Sequence, residues 1–380
     1  MRFRHPDGSI VHLAYCTNVH PAEDLDGVIA QLGGSAAQVR GRLGVPRLGV
    51  GLWLARGVAD VLIGDPRQLR RLRHAIDEHG LEVVTLNGFP YQGFHGEVVK
   101  HRVYRPDWTS PERLRYTLDL ARILTGLLPD DVQDASVSTL PLAWRTGWTP
   151  AAAEAAARNL ERLGKGLAEL RADTGRTVRV AFEPEPGCVV ESTGQAVRHL
   201  AGTGDQLGVC LDACHLAVRF EDPSIAASTL AAAELPIVKM QASCALHVED
   251  PRDPASRRAL ADFAEPRFLH QTRERGQTTG TDDLDLALNG GLPGEDPWRV
   301  HFHVPLHAPP APPLSSTQST LTRALDVLLG GPRPLTRHVE VETYTWEVLP
   351  YGGRSVVDGI AAELAWTRDR LTALGLKELR

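Results

Sequence analysis

Short runs rich in branched apolar residues alternate with helical stretches along most of this chain. Few folds accept that rhythm. Candidate strands fall at 10–19, 48–54, 82–88, 135–141, 178–184, 207–212, 237–243, 299–305 and 338–344. Helical patterns lie between many of them, at 66–79, 111–127, 150–172, 223–234, 316–329 and 355–373. Asp65-Pro66 and Ser110-Pro111 each read as an N-cap followed by proline at the first helical position. Strands joined through helices run parallel with right-handed crossovers, and eight such units close a barrel. The fold expected is therefore an α/β (β/α)8 TIM barrel, with residues 1–380 forming one domain. Nine candidate strands are one too many for eight units. The stretch 245–298, rich in Pro, Asp, Gly and Thr, reads as an insertion carrying short helices and a hairpin. The proline run 309–313 reads as a stiff surface loop.

Bulk properties narrow the partners. A chain of 380 residues can bury a large core without disulfides. The five cysteines, an odd number at irregular spacing, read as reduced thiols. The net charge of -6 gives no electrostatic reason to expect nucleic acid. The basic run 67–73 reads as a solvated helix face. No apolar stretch approaches the roughly 20 residues that span a bilayer, and residues 1–8 lead into no signal-peptide core. A cytoplasmic protein with a small-molecule substrate is expected. Assembly into a homo-oligomer stays open.

In a (β/α) barrel the functional face is the one onto which the strands' carboxyl ends open. Strand 178–184 brings Glu183 there, and strand 207–212 brings Asp212, with His215 three residues on. Strand 237–243 carries Gln241, 299–305 carries His301 and His303, and 338–344 carries Glu340 and Glu342. Side chains alternate along a strand. Glu340 and Glu342 therefore share a side, and so do His301 and His303. Carboxylates converging on one mouth repel unless a proton or cation intervenes. A divalent ion (Mn, Mg, Co or Zn) is the simplest answer for such oxygen and nitrogen donors. Asn18 and His20 follow the first strand. Asn87, Tyr91 and His95 follow the third, in a Gly-rich aromatic loop suited to covering a small molecule.

Phe182-Glu183-Pro184, Leu211-Asp212-Ala213-Cys214-His215 and Val341-Glu342 resemble the metal-site strands of the xylose-isomerase-like barrels. That group holds sugar isomerases, ketose 3-epimerases and endonuclease IV. The resemblance implies metal ligands Glu183, Asp212, a residue on the next strand, and Glu342. By position that residue is Gln241, where epimerases carry histidine, and His303 is its competitor. The resemblance further implies an isomerase or epimerase in which Glu183 and Glu342 move protons and His215 contacts the substrate. A metal-dependent hydrolase and a non-catalytic metabolite carrier are the alternatives. Strings such as Cys16-Thr17-Asn18-Val19-His20-Pro21, Leu86-Asn87-Gly88-Phe89-Pro90-Tyr91 and Glu340-Val341-Glu342-Thr343-Tyr344-Thr345-Trp346 resemble the EboE-type metabolite traffic proteins. This closer likeness implies a link to prenyl-metabolite traffic.

Overall fold

The computed structural model describes residues 1–351 and 355–379. Eight parallel strands close into a barrel: β1 (Ile10–Cys16), β2 (Leu48–Trp53), β3 (Leu81–Asn87), β4 (Asp134–Thr139), β5 (Thr177–Phe182), β6 (Leu207–Asp212), β7 (Ile237–Ala242) and β8 (His338–Val341). Closure comes from β8, which pairs with β7 on one side and β1 on the other. The strands are buried almost throughout, as strands covered by helices on one face and barrel core on the other must be.

The helices start where the sequence says they should. Asp65 and Ser110 accept hydrogen bonds from the backbone N–H groups of Arg67 and Glu112, with Pro66 and Pro111 at the first helical positions. The long helix Pro150–Thr174 is capped by the Thr149 hydroxyl and ends at Gly175 in the left-handed region. The basic run lies on the helix Pro66–Glu78, where Arg67, Arg71 and Arg73 pair with acids at the surface. In the Pro309–Pro313 segment only Pro310 is buried. All five cysteines are buried free thiols. No described helix is long and apolar enough to cross a membrane.

The expected ninth strand corrects the sequence reading. Trp298–His303 is not a barrel stave. It is the middle strand of a five-stranded antiparallel sheet with Gly280–Thr281, Thr272–Glu274, Ala245–Val248 and Leu314–Ser316. The insertion thus extends past 298 and carries a sheet of its own. Its strand 298–303 looks like a barrel strand because it too is buried on both faces. Trp298 and Phe302 are fully covered, and the Trp298 indole N–H is satisfied by Glu274 at 3.0 Å.

Below the mouth, the barrel core holds a charged layer. Lys239 on β7 and Glu340 on β8 are both fully buried and lie 2.8 Å apart. Burial alone would lower the lysine's pKa, but the Glu340 carboxylate holds the ammonium above its ordinary value. Glycine at position 51 makes room for this pair, since a Cβ there would sit 1.3 Å from Glu340 Oε1.

Candidate metal centre

Three carboxylates meet at the top of the barrel. Ligand atoms of Glu183, Asp212 and Glu342 lie within 4.8 Å of one another, and all three residues are buried. Each is aimed by a different device. Asp212 ends β6 and caps the short helix Ala213–Val218. Its Oδ1 accepts from the His215 N–H at 2.8 Å and from the Ser243 hydroxyl at 2.8 Å, which leaves Oδ2 without a partner. Glu342 Oε1 accepts from Asn18 Nδ2 at 2.7 Å and from Asn87 Nδ2 at 2.9 Å. Asn87 is itself fixed, because its Oδ1 accepts from the Phe89 N–H. Glu183 is tied by its backbone to Thr139 on the neighbouring stave, while its Oε2 has no partner. The turn after Glu342 is held by Glu363, which accepts from the Thr343 hydroxyl at 2.6 Å.

Electrostatics follow from this crowding. Burial, then the charges of Glu342 and Asp212, push the Glu183 carboxyl well above the usual range. Burial and then Asp212 raise Glu342 to about 8. Burial raises Glu185 to about 8, against a hydrogen bond from Tyr104. Protons hold such a cluster together when no cation does.

The expected fourth position has two occupants. Gln241 lies beside Asp212 and Glu340 in the strand register, and neither atom of its buried amide has a hydrogen-bond partner. His303 comes from the inserted sheet. Its Nδ1 lies 2.7 Å from the Glu342 backbone oxygen. A carbonyl only accepts, so Nδ1 carries the proton and Nε2 presents a lone pair, buried and without a partner. His303 also falls in a second cluster with Asp212 and His215.

The other expected residues divide. Asn18, Asn87, His215 and His303 line a pocket together with Glu183 and Glu342. His20, Tyr91 and His95 do not line it. His20 Nε2 meets the Tyr15 hydroxyl at 3.2 Å, Tyr91 stacks edge-on against Tyr116, and His95 packs on Trp53 and Phe94. The aromatic loop is real, but only Phe89, Pro90 and Phe94 of its first half reach the pocket.

The residues that sequence reasoning passed over sit on the opposite wall. Glu185, two residues beyond Glu183, accepts from the Tyr104 hydroxyl at 2.7 Å, and Gln271 Nε2 donates to that same hydroxyl. Gln271 Oε1 lies 2.7 Å from His301 Nδ1, and His301 Nε2 lies 3.0 Å from His215 Nε2. His215 Nδ1 donates to the Pro184 carbonyl at 3.0 Å. Both rings thus give their Nδ1 proton to an oxygen. Their Nε2 lone pairs face each other unless a shared proton, or a turned Gln271 amide, intervenes. The Glu183-Pro184-Glu185 spacing was the available signal for this wall. The partners from the insertion carry no local signal.

Three solved structures with this overall arrangement are a protein described as a sugar phosphate isomerase/epimerase from Anabaena variabilis, a xylose isomerase domain protein from Alicyclobacillus acidocaldarius, and IolI with a bound zinc atom. The first is 16% identical, with a TM-score of 0.53 over 97% of this chain and 100% of that one. The second is 14% identical, with a TM-score of 0.48 over 96% and 100%. The third is 13% identical, with a TM-score of 0.48 over 95% and 98%. At these identities the likeness is one of fold. No curated protein matches the sequence. Residues 55–285, more than half of the chain, match the family described as xylose isomerase-like TIM barrel. Together with the closed eight-stranded parallel barrel, that match makes this chain a member of the xylose isomerase-like TIM-barrel family.

Proposed function

We propose that the protein is a divalent-metal-dependent isomerase or epimerase acting on a small polyol, sugar or related carbonyl compound. The observation that carries this reading is the trio Glu183, Asp212 and Glu342, with Glu183 Oε2 and Asp212 Oδ2 buried and unpartnered. Such atoms are costly to leave unmade, and oxygen donors with an imidazole fit Mn, Mg, Co or Zn. We assign the ion to Glu183, Asp212, Glu342 and His303 Nε2. His303 is placed ahead of Gln241 because its tautomer is already fixed for ligation by the Glu342 carbonyl. When bound, the ion supplies Lewis acidity to neighbouring substrate oxygens.

The chain's own groups do the rest. Asn18 and Asn87 hold Glu342 at the pocket floor, and Glu183 reaches it from β5. In their ionised forms these two carboxylates are the groups placed to take a proton from a substrate carbon and return it. His215 and His301 form the pocket's imidazole wall. The closer resemblance to EboE-type metabolite traffic proteins suggests a metabolite ligand of that gene context. It is compatible with this chemistry and does not define it.

Glu183→Gln is expected to abolish turnover and metal binding together, because the amide neither carries the charge nor accepts the proton. Elemental analysis of the purified variant beside an isomerase assay checks this. Unchanged metal content and activity would sink the assignment.

A second expectation concerns protons. Glu342 is raised to about 8 by burial and Asp212, so it favours its protonated form at pH 7 in the absence of metal, and burial pushes Glu183 in the same direction. Metal binding must displace any proton these carboxyls hold, so protons should be released on metal binding near neutrality. The release should shrink as pH rises past the raised pKa values, where the carboxyls are already ionised. Titration calorimetry of Mn²⁺ in buffers of different ionisation enthalpy measures the number directly. A release independent of pH would contradict the protonated resting cluster.

A further inference from the structure

The pocket above the carboxylates has a wall that sugar chemistry does not need. Phe89, Phe94, Val99, Val103, Phe268 and Leu269 line it. The Phe94, Phe268 and Tyr344 rings form a mutual cluster with centroids 5.0–5.4 Å apart. These side chains come from the loop after β3, from the insertion and, for Tyr344, from the turn after β8, so three separate segments build one apolar surface.

Charge is arranged just as selectively. Among the described lining residues, Lys100 is the one lysine or arginine, and its ammonium is held by Asp283. Two arginines beyond the lining are also paired. Arg145 pairs with Asp282, and Arg267 with Glu347 at 3.1 Å. The floor carries Glu183, Glu185 and Glu342. Apart from an ion held at the centre, a phosphate dianion entering here would meet carboxylates and no unpaired lysine or arginine among the described lining residues, and away from that ion its hydration would go unreplaced.

We infer that the ligand is an unphosphorylated compound with an oxygenated head, which sits at the carboxylates, and an apolar body of aromatic or branched-chain character, which lies against the Phe89–Val103–Phe268 wall. This rests on the metal-site reading for the head alone. The body and the exclusion of phosphate rest on the wall and on the paired cations.

Three probes share one α-hydroxyketone head: dihydroxyacetone, dihydroxyacetone phosphate and 2-hydroxyacetophenone. Their dissociation constants for the full chain, with and without Mn²⁺, test the inference. The aryl ketone should bind at least about tenfold more tightly than dihydroxyacetone, as burying a phenyl ring predicts. The phosphate should bind no better than dihydroxyacetone. Val103→Ser should erase most of the aryl advantage over dihydroxyacetone. If that variant misfolds, Phe268→Leu reads the same wall. Asp283→Asn, which frees Lys100, should create phosphate binding. Tightest binding of the phosphate by the unaltered chain would overturn this inference and leave the metal reading intact. Aryl-ketone binding indifferent to Mn²⁺ would overturn the metal reading and leave the wall standing. Failure of all three probes to bind would overturn both.

Discussion

Asp212→Asn should weaken divalent-metal binding by more than about 100-fold, beyond the range that loss of an outer-sphere partner costs. The substitution is chosen because it isolates charge. An asparagine keeps an oxygen for the His215 N–H and the Ser243 hydroxyl, so the cap of helix Ala213–Val218 survives. What disappears is the negative charge behind Oδ2, the atom without a partner. Asp212 also belongs to both carboxylate and imidazole clusters, which makes it the residue the centre can least spare. Metal content by mass spectrometry and thermal shift with Mn²⁺ give two independent readouts. Asp212→Asn protein that keeps its metal and its metal-dependent shift would place the ion elsewhere.

Lys239→Met should destabilise the fold by about 3–5 kcal/mol, the usual result of stranding one member of a buried ion pair. Lys239 and Glu340 have no exposure at all, and the Lys239 ammonium lies 3.3 Å from one further polar side chain, that of Ser138. Removing the ammonium leaves the fully buried Glu340 carboxylate without its countercharge in the barrel core. Adding Glu340→Leu should recover much of the loss, since a matched apolar pair costs less than an orphaned charge. Urea unfolding of the single and double variants measures both. A single variant as stable as the parent would show that the pair contributes nothing.

Much of the barrel was legible because its signals are local. Period and length mark the strands, and Asp65-Pro66 and Ser110-Pro111 mark helix starts within a residue. Strand-end reading also brings Glu183, Asp212 and Glu342 to one place, because in a parallel barrel the carboxyl ends share a face. What could not be read is whatever depends on lateral pairing. Trp298–His303 has the composition of a stave, and only its antiparallel partners reveal that it is not one. The same limit hides the path from Glu185 through Tyr104 and Gln271 to His301. Its members lie far apart in sequence, and none has an unusual neighbour. Asn18 and Asn87 were legible as mouth residues but not as the clamps of Glu342, which requires knowing that β1 and β8 are adjacent.

That adjacency carries a consequence for how the molecule comes together. The bond from Asn18 to Glu342 joins residues 324 positions apart, across the seam where the last stave meets the first. Until β8 docks, the centre lacks one of its carboxylates and the turn that fixes His303. Contacts of such long range form late, after the entropy of closing the ring has been met. A cation held at this centre would act as a rivet on the seam. It would tie β8 to β5 and β6 and slow the opening of the ring.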